Sequence, residues 1–328
     1  MVNLTEKPMS IGDKMIKTAR RLVRHENAVL TIILIILVAV VAVITKGKSV
    51  SAHNVRNVLF QITSRGISSV GQLFVVLTGG IDLSVGGLAA FSLVLGGVMT
   101  LDTSQQIPLA GILPIMVLVG IGVGTLNGLS ISRLGMPALI VTLAVWRITT
   151  GLSLNLTGTI GAIPIESPLM SLVGRTAPAV LVVVAVVAYL VLNHTSFGRL
   201  VYAVGGNPTS AWLSGINIKR IVFSTYVISG FLSGLVSMLV MALNQASSIQ
   251  GIGALELDTI AAVCVGGVSL SGGRGGVIGV ILGVVIMGVI NNALNLLTVS
   301  VYIQDIVKGA IIIGAVVVNY VAKGFSRP

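Results

Sequence analysis

The longest uncharged stretches decide what this chain can fold into. Residues 103–132, 221–255 and 275–304 hold no Asp, Glu, Lys or Arg over 30, 35 and 30 positions. A helix needs about 20 apolar residues to cross the ~30 Å hydrocarbon core of a bilayer. None of the runs alternates apolar with polar residues, as a membrane β-strand does. The chain is 55% hydrophobic and 9% charged, against about 25% charged in soluble proteins. The sequence therefore predicts an all-α polytopic membrane protein of about ten transmembrane helices, near 28–45, 57–78, 84–101, 108–131, 136–154, 177–193, 221–243, 257–271, 275–297 and 304–321.

Orientation follows from the basic residues. With the N-terminus in the cytoplasm, that side holds Lys7, Lys14, Lys17, Arg20, Arg21, Arg24, Arg133, Arg199, Lys219, Arg220, Arg274, Lys323 and Arg327, out of 20 Lys and Arg in all. Outer loops hold Lys46, Lys48, Arg56 and Arg175, while Arg65, Arg147 and Lys308 fall within or at the edge of spans. Cytoplasmic loops carry the excess of basic residues, so both termini are expected in the cytoplasm. The expected organisation is a basic segment over 1–27, a transmembrane domain over 28–322 with a cytoplasmic loop over 194–220, and a tail over 323–328. The net charge of +11 is read as lipid topology rather than as nucleic-acid binding. The polar first 27 residues, with no small-residue cleavage pattern after the first apolar run, predict a retained first span.

Glycine is frequent, 40 residues, which lets helix backbones approach closely in lipid. "GGIDLSVG" (Gly79 to Gly86) and "GGVSLSGG" (Gly266 to Gly273) share GGxxLSxG, a possible internal repeat, as transporters often carry.

The stretch "GGNPTSAWLSG" (Gly205 to Gly215) predicts a short helix outside the bilayer. Asn207 suits an N-cap, Pro208 the first turn, and Gly215 the left-handed residue after the end. It lies in a connection of 27 residues, where two to eight would join two helices. Two readings stand: an amphipathic segment on the headgroups with Trp212 as anchor, or a coupling helix that docks into a cytoplasmic partner. The candidate docking residues are Gly205, Gly206, Asn207, Pro208, Ala211, Trp212, Leu213 and Gly215.

Asp82 sits between glycine pairs at a span boundary. It reads as a cap of the third span, as a substrate contact, or as half of a gating salt bridge with Arg65 or Arg147. Asn244, Gln245, Asn291, Asn292 and Asn295 lie near outer span ends. Carboxamides there can bond sugar hydroxyls without carrying charge into lipid, or tie helices together.

Catalytic machinery is absent. "GKS" (Gly47 to Ser49) lacks the first glycine of a phosphate loop, since position 42 is Ala42. His25, His53 and His194 are scattered and predict no metal site. Cys264, alone in an apolar run, reads as packing and excludes a disulfide framework.

"GGIDLSVGG", "FGRLVYAVGGNPTSAWLSGI" (Phe197 to Ile216) and the block from Glu256 to Leu297 resemble, in order, the signature, coupling loop and C-terminal block of permease subunits of bacterial ribose/xylose/galactose-type ATP-binding cassette importers. The resemblance covers roughly residues 28–322. Trp212 departs from the pattern, where a smaller or charged residue is expected. The resemblance implies a non-enzymatic chain in the bacterial inner membrane with no cofactor of its own. It implies a second permease subunit, a cytoplasmic tandem ATPase holding ATP and magnesium, and a periplasmic or lipid-anchored sugar-binding protein. Branched-chain amino acid and nucleoside permeases share the relation. A stand-alone solute channel leaves the long loop unexplained.

Overall fold

The computed structural model describes residues 26–101, 107–158 and 161–324. The basic segment with Lys7 to Arg24, and Arg327 of the tail, lie outside the described residues. Among the described residues twelve α-helices follow in order: α1 (Glu26–Ile44), α2 (Ala52–Leu77), α3 (Val85–Leu101), α4 (Leu109–Ser132), α5 (Ala138–Thr157), α6 (Pro168–His194), α7 (Ser196–Gly206), α8 (Pro208–Leu213), α9 (Ile218–Asn244), α10 (Leu255–Val265), α11 (Val277–Leu296) and α12 (Val301–Gly324). Two-residue strands, β1 (Ile163–Pro164) and β2 (Ala246–Ser247), pair antiparallel.

Six helices, α1, α4, α5, α6, α9 and α11, are long and apolar enough to cross a membrane, and α3 is a shorter apolar helix. Ten helices fall on the ten expected spans, with three differences. The sixth begins at Pro168, because Ser167 caps it by accepting from Met170 N at 3.2 Å. Pro178 lies inside the helix, as membrane helices tolerate. The second begins at Ala52, capped by Ser51.

The eighth differs most. It runs over only the 11 residues of α10, roughly 16 Å, about half the hydrocarbon thickness. Two glycines stop it. Gly267 takes φ +78, and the N–H groups of Gly267 and Val268 bond the carbonyls of Cys264 and Val263. That is a Schellman cap. α2 ends identically: Gly79 has φ +82, and the N–H groups of Gly79 and Gly80 bond Val76 and Val75. The structural match pairs Gly79 with Gly267. The sequence match pairs Gly79 with Gly266. The two motifs share a helix end but differ by one residue in register.

Helix α9 forms the centre, packed on α4, α2 and α3. Glycines set the spacing. A Cβ on Gly120 would lie 2.8 Å from Gly234 Cα, and one on Gly124 would lie 2.9 Å from Gly230 Cα. Backbones in contact gain dispersion contacts where lipid supplies no hydrophobic drive.

Candidate functional site

The 194–220 connection is built from caps. Thr195 Oγ1 accepts from Gly198 N and starts α7. Asn207 donates its N–H to Ala203 O, which closes α7, and its Oδ1 accepts from Ser210 N at 3.0 Å, which opens α8. Pro208 holds the first turn. Gly215, at φ +79, bonds Trp212 O, and Ile216 N bonds Ala211 O, a third Schellman cap. Asn217 Oδ1 then caps α9 through Arg220 N. Sequence reasoning finds one helix here and misses α7, whose glycine-rich end resembles a loop.

This unit is fixed to the bundle. Phe197 stacks on Phe74 of α2, with ring centroids 6.4 Å apart. Tyr202 donates to Gly275 O at 2.9 Å. Gly273 N donates to Leu77 O at 2.9 Å. A Cβ on Gly205 would lie 2.6 Å from Gly273 N, and one on Gly273 would lie 2.6 Å from Gly206 Cα. The end of α7, the end of α2 and the 266–276 loop thus meet backbone to backbone. The eight candidate docking residues therefore divide. Gly205 is buried in that junction and Ala211 is 4% exposed against the bundle. Gly206, Asn207, Pro208 and Gly215 are exposed backbone-shaping positions. Trp212 and Leu213 point outward, 66% and 73% exposed.

Asp82 lies fully buried just before α3. Its Oδ1 accepts from Ser84 N at 2.9 Å and Ser84 Oγ at 2.6 Å, and its Oδ2 from Ser229 Oγ of α9 at 2.7 Å. Asn127 of α4 donates to Ser84 Oγ at 2.8 Å. The carboxylate therefore holds the turn that leads into α3 and links it to α9. Ser84, whose carbonyl accepts from Leu88 N, occupies the position ahead of the helix. The salt-bridge reading fails geometrically. Arg65 Nε lies 2.6 Å from Asp258 Oδ2, and Lys308 Nζ lies 3.2 Å from Asp258 Oδ1. Arg147 stacks over its neighbour Trp146, 4.4 Å from the ring centroid.

Helix α9 has 27 residues, so its C-terminal end lies roughly 40 Å from the α8 end. A cavity of about 470 Å³ opens there, lined by Asn57, Phe60, Gln61, Arg175, Asn244 and Gln245 among others. A neighbouring cavity of about 180 Å³ shares Phe60, Gln61 and Asn244 and adds Ser64 and Arg65. Asn244 and Gln245 thus reach one space, where Gln245 Nε2 also donates to Ser171 Oγ. The other carboxamides do not. Asn292 and Asn54 exchange hydrogen bonds at 2.8 and 3.0 Å. Asn295 Oδ1 accepts from Gln304 Nε2 at 2.9 Å, and Asn291 is buried with no hydrogen-bond partner on its side chain. Sequence reasoning misses Asn57, Gln61 and Ser64, and singles out Arg65 only as a partner of Asp82. Their i, i+4, i+7, i+8 spacing puts them on one face of α2, and that polar stripe is the signal that locates them.

A bundle with a rigid, capped protrusion at one end and a polar cavity at the other is the build of a transporter subunit. The family model for the permease component of branched-chain amino acid transport systems matches residues 54–316. The chain belongs to that permease family, as a multi-pass membrane protein. It is 37% identical over 291 residues to the ribose import permease protein of Haemophilus influenzae, covering 82% of this chain and 85% of that one. It is 37% identical over 287 residues to the ribose import permease protein of Bacillus subtilis, covering 81% and 84%. The fructose import permease protein of Rhizobium meliloti is 33% identical over 311 residues, covering 89% and 84%. No solved structure matches the chain.

Proposed function

We propose that this chain is the membrane-spanning subunit of an ATP-binding cassette importer for a ribose-type monosaccharide, in the bacterial inner membrane. In this reading the chain crosses ten times with both termini in the cytoplasm, and α10 makes the eighth crossing together with the 266–276 loop that follows it. It pairs with a second permease subunit. A tandem ATPase on the cytoplasmic face holds ATP and magnesium, and a binding protein delivers sugar to the Asn244–Gln245 end. The chain performs no covalent chemistry itself.

One observation carries the reading: α8 presents Trp212 and Leu213 to solvent from a unit fixed to the bundle on three sides. An exposed aromatic on a capped, rigid helix fits a partner's groove. A push on α8 passes through the α7 end into both GGxxLSxG segments, because those backbones are in contact. The carboxamides, aromatic ring and arginines of the far cavity fit hydroxyl-rich cargo better than an aliphatic amino acid side chain.

The test is ATPase capture and uptake of labelled ribose, xylose and galactose in cells. Trp212→Ala with Leu213→Ala is expected to leave the permease folded, since both lie outside the bundle. The double variant is expected to lower ATPase capture and sugar uptake at least tenfold. Unchanged capture and uptake would reduce α8 to a surface anchor. Uptake of leucine but of none of the sugars by the unmodified importer would replace the sugar reading.

A further inference from the structure

The sequence places three basic residues within or at the edge of spans, and the structure neutralises two. Arg65 and Lys308 share Asp258. Among the described residues no carboxylate pairs with Arg147, which lies over the ring of Trp146. Arg147 is the tenth of the 20 residues of α5, about 15 Å from either end of the helix. Long basic side chains snorkel to the interface near helix ends. Arg147 sits midway, where neither end is near.

The inward face of α5 is closed by packing. Val141, Thr142, Thr149 and Ser153 are buried, and a Cβ on Gly87 of α3 would lie 2.6 Å from Thr149 Oγ1. On the outward face, Ala144, Arg147, Gly151 and Asn155 follow one another at i, i+3, i+7 and i+11, all exposed. A Cβ on Gly151 would meet nothing within 4 Å. Ile140, Leu143, Ile148 and Leu152 are exposed beside them, so the face is mixed; the outward residues of α6 differ in carrying no charge over the middle of the helix. α6 exposes Val182, Val183, Val186, Val187 and Leu190 over its middle. The mean hydropathy of α5 is 1.4, against 2.0 or more for each of the other five span candidates. A charged side chain at mid-depth belongs to a bundle interior or a water-filled cavity.

We propose that the Ala144–Arg147–Gly151–Asn155 face of α5 lines the water-filled sugar path of the assembled importer, with Arg147 donating hydrogen bonds to sugar hydroxyls. This rests on the importer reading above, in which a second permease chain supplies the opposite wall. The chemistry suits a neutral, hydroxyl-rich monosaccharide. The guanidinium offers five N–H donors in a fixed plane and no acceptor, and Asn155 offers both donor and acceptor. Small side chains at Ala144 and Gly151 leave room for cargo beside the arginine.

The test uses the full importer in native membranes, in a Cys264→Ala background. Gly151→Cys and Ala144→Cys are expected to react with a charged, membrane-impermeant methanethiosulfonate at least tenfold faster than Val183→Cys on α6, and the modified importers are expected to lose sugar uptake. Arg147→Leu is expected to lower uptake at least tenfold at normal membrane level, with Arg147→Lys restoring part of it. Labelling of Gly151→Cys no faster than of Val183→Cys would overturn the proposal. So would Arg147→Leu transporting at the unmodified rate. Where Arg147→Leu fails to accumulate, the cysteine contrast decides alone. Absence of sugar uptake by the unmodified importer would instead strike the importer reading, and the labelling contrast would still decide whether the face is wet.

Discussion

Among the described residues two carboxylates are buried, and they are satisfied in opposite ways. Asp258, near the start of α10, faces Arg65 from α2 and Lys308 from α12. Asp82, ahead of α3, faces no cation and accepts from two hydroxyls and one backbone N–H. The first joins three helices by charge. Its acid also lies at the positive end of α10, where the helix dipole favours it. The second shapes a turn by hydrogen bonds whose donors are neutral. Charge is thus indispensable at Asp258 and replaceable at Asp82. Both are acidic residues at span boundaries, so the same local sequence context serves two roles that only the neighbouring helices separate.

The comparison breaks most sharply at Asp258. Asp258→Asn leaves Arg65 without its counter-ion and Lys308 with only the exposed Asp305 at 3.6 Å, and is expected to cost about 3 kcal/mol, the lower end for breaking a buried pair, because Arg65 and Lys308 keep some solvent contact. Thermal unfolding of the purified permease in detergent reads the loss. Adding Lys308→Met to Asp258→Asn is expected to recover part of it; no recovery would mean that Lys308 is not held by Asp258.

At Asp82 the expected effects are smaller and depend on the replacement. Asp82→Leu strands Ser84 and Ser229, at roughly 1–3 kcal/mol for an orphaned buried group, and is expected to lower folded yield. Asp82→Asn keeps an acceptor for Ser84, while Ser229 can turn to accept from the new amide, so about 1 kcal/mol or less is expected. Equal losses for the two variants would show that the negative charge itself is needed, and the contrast with Asp258 would disappear. Ser229→Ala removes a single donor from Asp82 and is expected to cost about 1 kcal/mol in the same unfolding measurement. The smallest expected stability change is at the exposed cap: Asn207→Ala removes one hydrogen bond of α8, worth about 1 kcal/mol locally, and leaves the unfolding midpoint of the bundle unmoved. A shift of that midpoint as large as that of Asp82→Leu would mean that α8 is part of the folding core.

Much of this was legible in the residues. Helix positions followed the apolar runs, because an unpaired backbone in lipid is too costly for anything but a helix or a closed barrel. Asn207, Pro208 and Gly215 predicted α8 within a residue, since caps depend on local hydrogen bonds and on a φ that glycine alone takes freely. Elsewhere the reading failed. The sixth span was expected from position 177, and α6 begins at Pro168 behind its Ser167 cap. The eighth span was expected to be short and to run to position 271, and the Gly266–Gly267 pair ended α10 at Val265. α7 resembled a loop, yet Phe74, Leu77, Gly273 and Gly275 hold it as a helix.

The same division runs through the candidate sites. By itself the sequence determined the all-helical membrane class, the capped protrusion and the set of polar residues at membrane depth, because each follows from hydropathy or from contacts within a few positions. Only the tertiary structure decided which of those residues neutralise one another. Arg65 found Asp258 across 193 positions and Asn54 found Asn292 across 238, while Asn244 reached a cavity and Arg147 was left on an open face. Pairing energies fall steeply with distance and with solvent contact, and a chain order carries neither quantity.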